Sequence, residues 1–254
     1  MKRFTGRIAL ITGAGSGIGQ ATVLRFLSEG ATVIAADIMP EGLATTRKMA
    51  EHAGYDERLT TREVDISSES SVRQQVAEAI EQAGRLDVLV NAAGILRSSH
   101  THLTSLEFWN RMLAVNLTGT FLVTREALPA LLKTDNGVVV NFSSTSASFA
   151  HPYMAAYAAT KGGIQSFTHS IASEYARQGL RAVAVAPGSI ASGMTNDPGL
   201  PADADMSLFS KMSPALGQGF ASPDSVAGVI AMFASDDGKF ITGTELRIDG
   251  GTHM

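Results

Sequence analysis

The chain predicts an α/β sandwich: a parallel sheet covered by helices on both faces. Three observations carry that expectation. Short apolar runs rich in Val, Ile, Leu and Ala recur along the chain without polar interruption, as strands buried on both faces do. Stretches with helical spacing separate them, so successive strands are joined by crossovers and lie parallel. A glycine-rich turn joins the first strand to the first helix, where doubly wound sheets bind their ligands. Right-handed crossovers then wind the sheet in both directions.

The elements follow in order. RIALIT (7–12) is the first strand, and GIGQATVLRFLSEG (17–30) is a helix ended by glycine. ATVIAAD (31–37) is the second strand, a polar helix covers about 40–53, and LTTREVD (59–65) is the third strand. SSESSVRQQVAEAIEQAG starts on a serine cap and stops at Gly84. LDVLVNAAG (86–94) is the fourth strand and its turn, and a long helical region spans about 105–132. GVVVNFSS (137–144), LRAVAVAPG (180–188) and ELRIDGG (245–251) are the fifth to seventh strands. A long helix (155–179) precedes the sixth. The stretch from Gly193 to Ser222 is irregular, rich in Pro, Asp, Gly and Met, and reads as a lid or binding loop.

Bulk composition narrows the class. With 254 residues, 44% hydrophobic and 17% charged, the chain reads as a single domain over 1–254 with a core of its own. It has no cysteine, which excludes disulfides and thiolate metal sites and is compatible with a reducing cytoplasm. Net charge is −4 with no basic stripe, so no nucleic-acid partner is expected. The N-terminal MKRFTGRIALITGAG is basic and then apolar, but the apolar run passes into glycines without a cleavage site. No segment is long enough to cross a bilayer, so the expectation is a cytoplasmic protein with no membrane partner.

The turn TGAGSGIG (12–19) sets Gly13, Gly17 and Gly19 where backbone must bend sharply and approach a ligand closely. The helix that follows aims free N–H groups and a positive dipole end at an anion, such as a pyrophosphate. Asp37 closes the second strand 18 residues past Gly19, in place to accept hydrogen bonds from adenosine ribose hydroxyls. Asp65, with Ile66 beside it, is a candidate for the adenine edge, and Asn91, Ala92, Ala93 and Gly94 end the fourth strand beside the same crevice. Ser16 and Ile18 complete the loop's binding set. A carboxylate at Asp37, with uncharged Ser16 and Ile38 nearby, repels a 2′-phosphate, so the expected cofactor is NAD rather than NADP.

Tyr157 and Lys161 stand four residues apart and share a helix face. Ser143 and Ser144 lie at the carboxyl end of the fifth strand, the edge where open α/β sheets hold ligands. A hydroxyl, a phenol and an ammonium thus converge. A neighbouring cation favours phenolate, and a phenol so tuned can exchange a proton with an alcohol oxygen. The histidines at 100, 102, 151 and 169 lack ligand spacing, so no metal site is expected; His151 and Tyr153 are candidates to line the pocket.

TGAGSGIG, NAAG (91–94) and YAATK (157–161) together resemble the short-chain dehydrogenase/reductase family, over essentially the whole chain. The resemblance implies a Rossmann-type doubly wound three-layer sandwich with a seven-stranded parallel sheet. It implies a secondary alcohol/ketone oxidoreductase in which Tyr157 is the acid/base and Ser144, thirteen residues earlier, positions the substrate oxygen. Lys161 is implied to lower the phenol's pKa and to bind the nicotinamide ribose. Asn116, within VNLTG, is implied to hold a water linking the lysine to solvent. PGSIAS (187–192) resembles the segment that grips the nicotinamide carboxamide, with Pro187, Gly188, Ile190 and Ser192; Ser192 stands where threonine is usual. A homotetramer is also implied, paired through the helices at 105–132 and 155–179. The substrate itself is not written in these motifs. A secondary alcohol of middling size, closed over by apolar residues of 193–217, is the first reading. A 3-oxoacyl thioester reductase and a non-catalytic dinucleotide sensor are the alternatives. Asp197, Asp203 and Asp205 in that segment speak against an anionic substrate.

Overall fold

The computed structural model describes residues 2–210, 212–217 and 219–254; Lys211 and Gln218 of the expected lid lie outside the described residues. Seven strands form one parallel sheet: β1 (Ile8–Thr12), β2 (Thr32–Asp37), β3 (Leu59–Glu63), β4 (Val88–Asn91), β5 (Val138–Phe142), β6 (Arg181–Pro187) and β7 (Thr244–Ile248). Their order is β3-β2-β1-β4-β5-β6-β7. The winding reverses between β1 and β4, which opens a crevice beyond the carboxyl ends of those two strands.

The apolar runs are continuous because alternate residues of each strand feed two different cores. Ala9 and Ile11 of β1 pack on one face with Val23, Phe26 and Leu27 of α1 (Gly17–Ser28), and with Leu43 of α2 (Pro40–His52). Leu10, between them, packs on the other face with Val72 and Val76 of α3 (Glu69–Ala83). Val88 and Val90 against Leu89 in β4, and Val138 and Val140 against Val139 in β5, divide in the same way. A side chain so buried contributes about 1.5–3 kcal/mol, and none of these positions tolerates a polar group without a partner.

The long helical region of 105–132 is three pieces end to end: α4 (Leu106–Met112), a π-helical stretch Leu113–Thr118, and α5 (Gly119–Leu131). The wider turn interrupts the 3.6-residue period where Asn116 sits, a type of irregularity common at functional sites. α6 (Ala155–Tyr175) follows β5. The caps read from sequence are in place: Ser68 accepts from the Ser71 amide, and Gly84 ends α3 in the left-handed region at φ 77°.

Between 193 and 222 the chain carries a short helix, α7 (Gly193–Asn196), and a 3-10 turn at Met206–Phe209. Its two ends are tied at the base by a parallel bridge between Ile190 and Ala221. α8 (Pro223–Ala234) was not assigned from sequence. Its start is an ordinary one: Ser222 caps it and Pro223 is at the first position. Its apolar residues surround the helix without a polar stripe, because it is sandwiched between α1, β5 and β6.

Candidate active site

A cavity of about 1130 Å³ runs along the carboxyl edge of the sheet from the glycine turn to the 193–222 segment. At one end, Gly13 has φ 67°, and a Cβ there would lie 2.7 Å from the Ala93 nitrogen; one at Gly19 would overlap the Gly13 carbonyl oxygen. Ser16 precedes α1 in extended conformation and makes no side-chain cap, so the first-turn N–H groups are left to an anion. Asp37 lines the cavity beside them. Its Oδ2 accepts from the Gly15 amide at 2.8 Å and its Oδ1 from the Met39 amide at 2.9 Å, which orients the carboxylate. Gly15 was not singled out from sequence. A Cβ there would crowd both this carboxylate and the Cα of Gly42, so the start of α2 can approach only because two glycines meet. Gly17, Ile18, Asp65, Ile66, Ala92, Gly94, Pro187, Gly188, Ile190 and Ser192 line the same cavity.

Ser144, Tyr157 and Lys161 meet on its wall. The Ser144 hydroxyl oxygen accepts from the Ser146 amide at 3.1 Å, and its side chain is near enough to the Tyr157 phenol to pull the phenol's pKa down. Ser143 is committed elsewhere: its hydroxyl donates to the Lys161 carbonyl at 3.3 Å. Lys161 is 5% exposed, donates to the Phe142 carbonyl at 2.8 Å and holds its ammonium 5.5 Å from the centre of the Tyr157 ring.

The expected depression of the phenol by this lysine is corrected here. Burial pushes Tyr157 up to about 12, and Ser144 opposes it only in part. Burial pushes Lys161 down to about 8. The ammonium lies over the ring rather than at the phenol oxygen, and burial decides the direction of the phenol's shift.

Two expected site residues are held off the cavity wall. Asn91 is buried, and its amide donates to Thr124 and to the Asn141 oxygen at 2.9 Å each; β4 turns it into the sheet. Asn116 is fully buried; its amide donates to the Ile95 carbonyl at 2.9 Å and to Thr160 at 3.2 Å, and its oxygen accepts from the Ile95 amide at 2.8 Å. It ties the turn after β4 to α6, one residue from Lys161.

At the other end, His151 lines the cavity, with Thr145, Thr252 and His253. The C-terminal pair carried no sequence signal, because only the fold returns the end of the chain to this wall. Tyr153 does not line it. With φ 64°, an uncommon left-handed conformation for a tyrosine, it sends its hydroxyl to accept from the Asp205 amide at 2.8 Å and stacks on Phe209 at 6.1 Å. Met194, Leu200, Phe209 and Met212 face the cavity, whereas Met206 and Leu208 are exposed. The three acids of this segment also face away. Asp203 pairs with His100 at 2.9 Å, Asp205 caps the Ser207 amide, and Asp197 accepts from Gly199. They therefore say nothing about substrate charge.

A seven-stranded parallel sheet with a glycine turn at its switch point and a Ser–Tyr–Lys cluster beside it defines a dinucleotide-dependent oxidoreductase. A family model described as enoyl-(acyl carrier protein) reductase matches residues 13–253. The chain is 40% identical over 249 residues to the 3-oxoacyl-(acyl-carrier-protein) reductase FabG of Thermotoga maritima, covering 98% of each. It is 35% identical to the meso-2,3-butanediol dehydrogenase of Serratia marcescens, covering 98% of this chain and 95% of that one. The crystal structure of carveol dehydrogenase from Mycobacterium avium in complex with NAD superposes with a TM-score of 0.89 at 27% identity, covering 99% of both chains. The chain belongs to the short-chain dehydrogenase/reductase family, whose members use a nicotinamide dinucleotide.

The buried pair has a measurable consequence for folding. Lys161 holds its proton less tightly folded (about 8) than unfolded (10.5), so its stabilising contribution is present above pH 10.5 and is lost as pH falls through about 8. Tyr157 has the opposite sign: its contribution is present below pH 10.0 and is lost as pH rises through about 12. The Tm of the wild type minus that of Lys161→Met is expected to increase as pH goes from 8 to 10. A difference that stays flat across that window would refute the assignment.

Proposed function

We propose that this chain is an NAD-dependent oxidoreductase that interconverts a secondary alcohol and its ketone. The observation that carries the reading is the meeting of Ser144, Tyr157 and a buried Lys161 on the wall of the cavity that also holds the glycine turn and Asp37. The residues present fit a dinucleotide. Gly13 and Gly19 let the turn close tightly where side chains would strike its own backbone, the uncapped start of α1 suits a pyrophosphate, and Asp37 keeps free lone pairs for ribose hydroxyls. Pro187, Gly188, Ile190 and Ser192 would hold the nicotinamide end. When bound, the nicotinamide supplies the hydride acceptor or donor.

The chain's own groups do the rest. Ser144 hydrogen-bonds the substrate oxygen and holds it against the phenol. Tyr157, protonated across neutral pH because it is buried, donates its proton to a ketone oxygen; in the other direction the deprotonated phenol takes the proton from the alcohol. Lys161, bound to the Phe142 carbonyl, sets the charge beneath the ring, and Asn116 fixes the turn that borders it. A 3-oxoacyl thioester reductase is the second reading, favoured by the name of the Thermotoga maritima relative. The butanediol dehydrogenase relative favours the small secondary alcohol. A sensor without turnover has no use for all three of Ser144, Tyr157 and Lys161. We place the enzyme in the cytoplasm, a location with which the lack of cysteine is compatible.

Tyr157→Phe is expected to leave folding and NAD binding nearly intact and to lower kcat by at least about a hundredfold, the scale of a lost acid/base group. Near-native kcat in that variant would remove the proton-transfer role. For cofactor choice, Asp37 against a 2′-phosphate predicts a preference for NAD over NADP of about a hundredfold or more in kcat/KM. Ile38, 47% exposed at the rim, has no charge to offset it, and Arg47 is already donating to Thr61. The double change Asp37→Ser with Ile38→Arg is expected to erode or reverse that ratio, and equal use of NADP by the wild type would sink it. A tetramer is proposed through α5 and α6. Phe121 of α5, 42% exposed, meets Phe167 of α6 at 6.3 Å and offers a shared apolar face. Light scattering is expected to give four times the monomer mass; a clean monomer would discard the idea.

A further inference from the structure

Charge is unevenly spread along the cavity. Among the described residues that line it, the carboxylates are Asp37 and Asp65, both at the cofactor end. Arg111 belongs to that end too, since it donates to the Ser67 hydroxyl at 3.2 Å, and Lys161 is buried beneath the Tyr157 ring. That leaves Arg97, in the turn after β4, as the guanidinium of the substrate end. Arg97 is exposed and still lines the cavity, so it stands at the mouth, where the wall meets solvent. Its Nη1 donates to the Leu96 and Asp197 carbonyls at 3.0 Å each, which pins the group across the seam between this turn and the 193–222 segment. A Cβ on Gly199 would lie 3.3 Å from its Cδ, so that segment passes directly against the arginine stem. Both Nη1 protons are thereby used. Among the described residues nothing engages Nε or Nη2, and no carboxylate forms an ion pair with the group. The Asp197 carboxylate is turned instead to the Gly199 amide at 3.1 Å.

Elsewhere at this end, polar side chains are spent on the protein itself. The Phe149 carbonyl can only accept, so Nδ1 of His151, 3.1 Å away, carries the proton, and its Nε2 takes the Thr145 hydroxyl at 3.2 Å. The Thr252 hydroxyl donates to the Asp249 carbonyl at 2.6 Å, and that of Thr195 to the Ile190 carbonyl at 2.9 Å. Leu96, Met154, Leu200, Phe209, Met212 and Phe220 give the same end an apolar lining. A substrate seated here meets Ser144 and Tyr157 with its reacting oxygen, apolar surface along its body, and a guanidinium with three unpaired N–H groups at the mouth. A cation with open donors selects an anion, which it holds by charge-assisted hydrogen bonds.

We propose that Arg97 receives an anionic end of the substrate. The molecule turned over here carries its ketone or hydroxyl on an apolar body and a carboxylate or phosphate at the far end. The proposal rests on the alcohol–ketone reading above and adds what that molecule carries besides its reacting carbon. A plain hydrocarbon ketone would leave the guanidinium unused. An anion on a body of the right length reaches it while the reacting oxygen stays at Ser144 and Tyr157, so one contact at the mouth sets both the charge and the length that the pocket prefers.

Calorimetry on the NADH complex of Tyr157→Phe reads this without turnover. The probes are 5-oxohexanoate, 7-oxooctanoate and 9-oxodecanoate, each against its methyl ester, and the phosphate monoester of 8-hydroxyoctan-2-one against the free alcohol. At low salt at least one anion is expected to bind about threefold or more tighter than its neutral partner, the scale of a solvent-exposed ion pair, and the ratio is expected to shrink as salt is raised. Adding Arg97→Gln is expected to bring that ratio to about one, and Arg97→Lys, which keeps the charge but not the planar fork, to retain part of it. Each ratio is taken within one variant, so a change in lid packing that affects both members cancels. The pair with the larger ratio identifies the end group as carboxylate or phosphate. Anions that bind no tighter than their neutral partners, or not at all, or a preference that survives Arg97→Gln, would overturn the proposal. Turnover of wild type with the same ketones is read in parallel. An anion preference that Arg97→Gln removes, without reduction of any probe, would sustain the Arg97 assignment and refute the alcohol–ketone reading. Reduction of the probes without an anion preference would do the reverse.

Discussion

Between the carbonyl oxygen of Gly13 and the Cα of Gly19 there is no room for a side chain, and a Cβ on Gly13 would press on the Ala93 backbone. The first helix can therefore start directly off β1, with its N-terminus over the switch point of the sheet. The rest of the cavity follows from that closure. Asp37 at the end of β2 reaches the turn and bonds the Gly15 amide. A Cβ on Gly17 would lie 3.3 Å from that of Ser192, so the segment after β6 closes on the turn after β1. Loops from four strands thereby share one wall, although their residues are far apart in the chain.

Dryness governs the reacting end. Tyr157 and Lys161 share a helix face, but their chemistry is decided by what surrounds them. Burial drives the phenol up and the ammonium down, so proximity to a cation does not by itself make the tyrosine acidic. Ser144 is the one side chain pulling the phenol the other way. The lysine's bond to the Phe142 carbonyl and the packing of Asn116 against Ile95 and Thr160 hold this arrangement from beneath. Around the other end, Tyr153 accepts a left-handed backbone in order to brace the 193–222 segment, a local strain that the surrounding contacts sustain.

The sheet was legible because period-free apolar runs have few other meanings. Alternate residues serve two cores, so every position is apolar, and glycine or a polar cluster marks each end. Helices with a serine or glycine terminus, such as α3 with Ser68 and Gly84, were equally legible. α8 was passed over because a helix buried on all sides loses the polar stripe that announces one. The π-helical turn at Leu113–Thr118 left no local signal, since the same residues fit an ordinary helix.

The sequence alone determined the strands, the glycine turn, the strand-end Asp37 and the trio of Ser144, Tyr157 and Lys161, because spacing on a strand or helix places these side chains on known edges and faces. Only the tertiary structure decided which neighbours they meet. It turned Asn91 into the sheet, set Asn116 behind the wall rather than on it, and pointed the acids of 193–222 outward. It also returned His253, the last residue but one, to a cavity built more than a hundred residues earlier. Such contacts depend on how distant segments pack and on how much water they exclude, and neither quantity is local to any stretch of the chain.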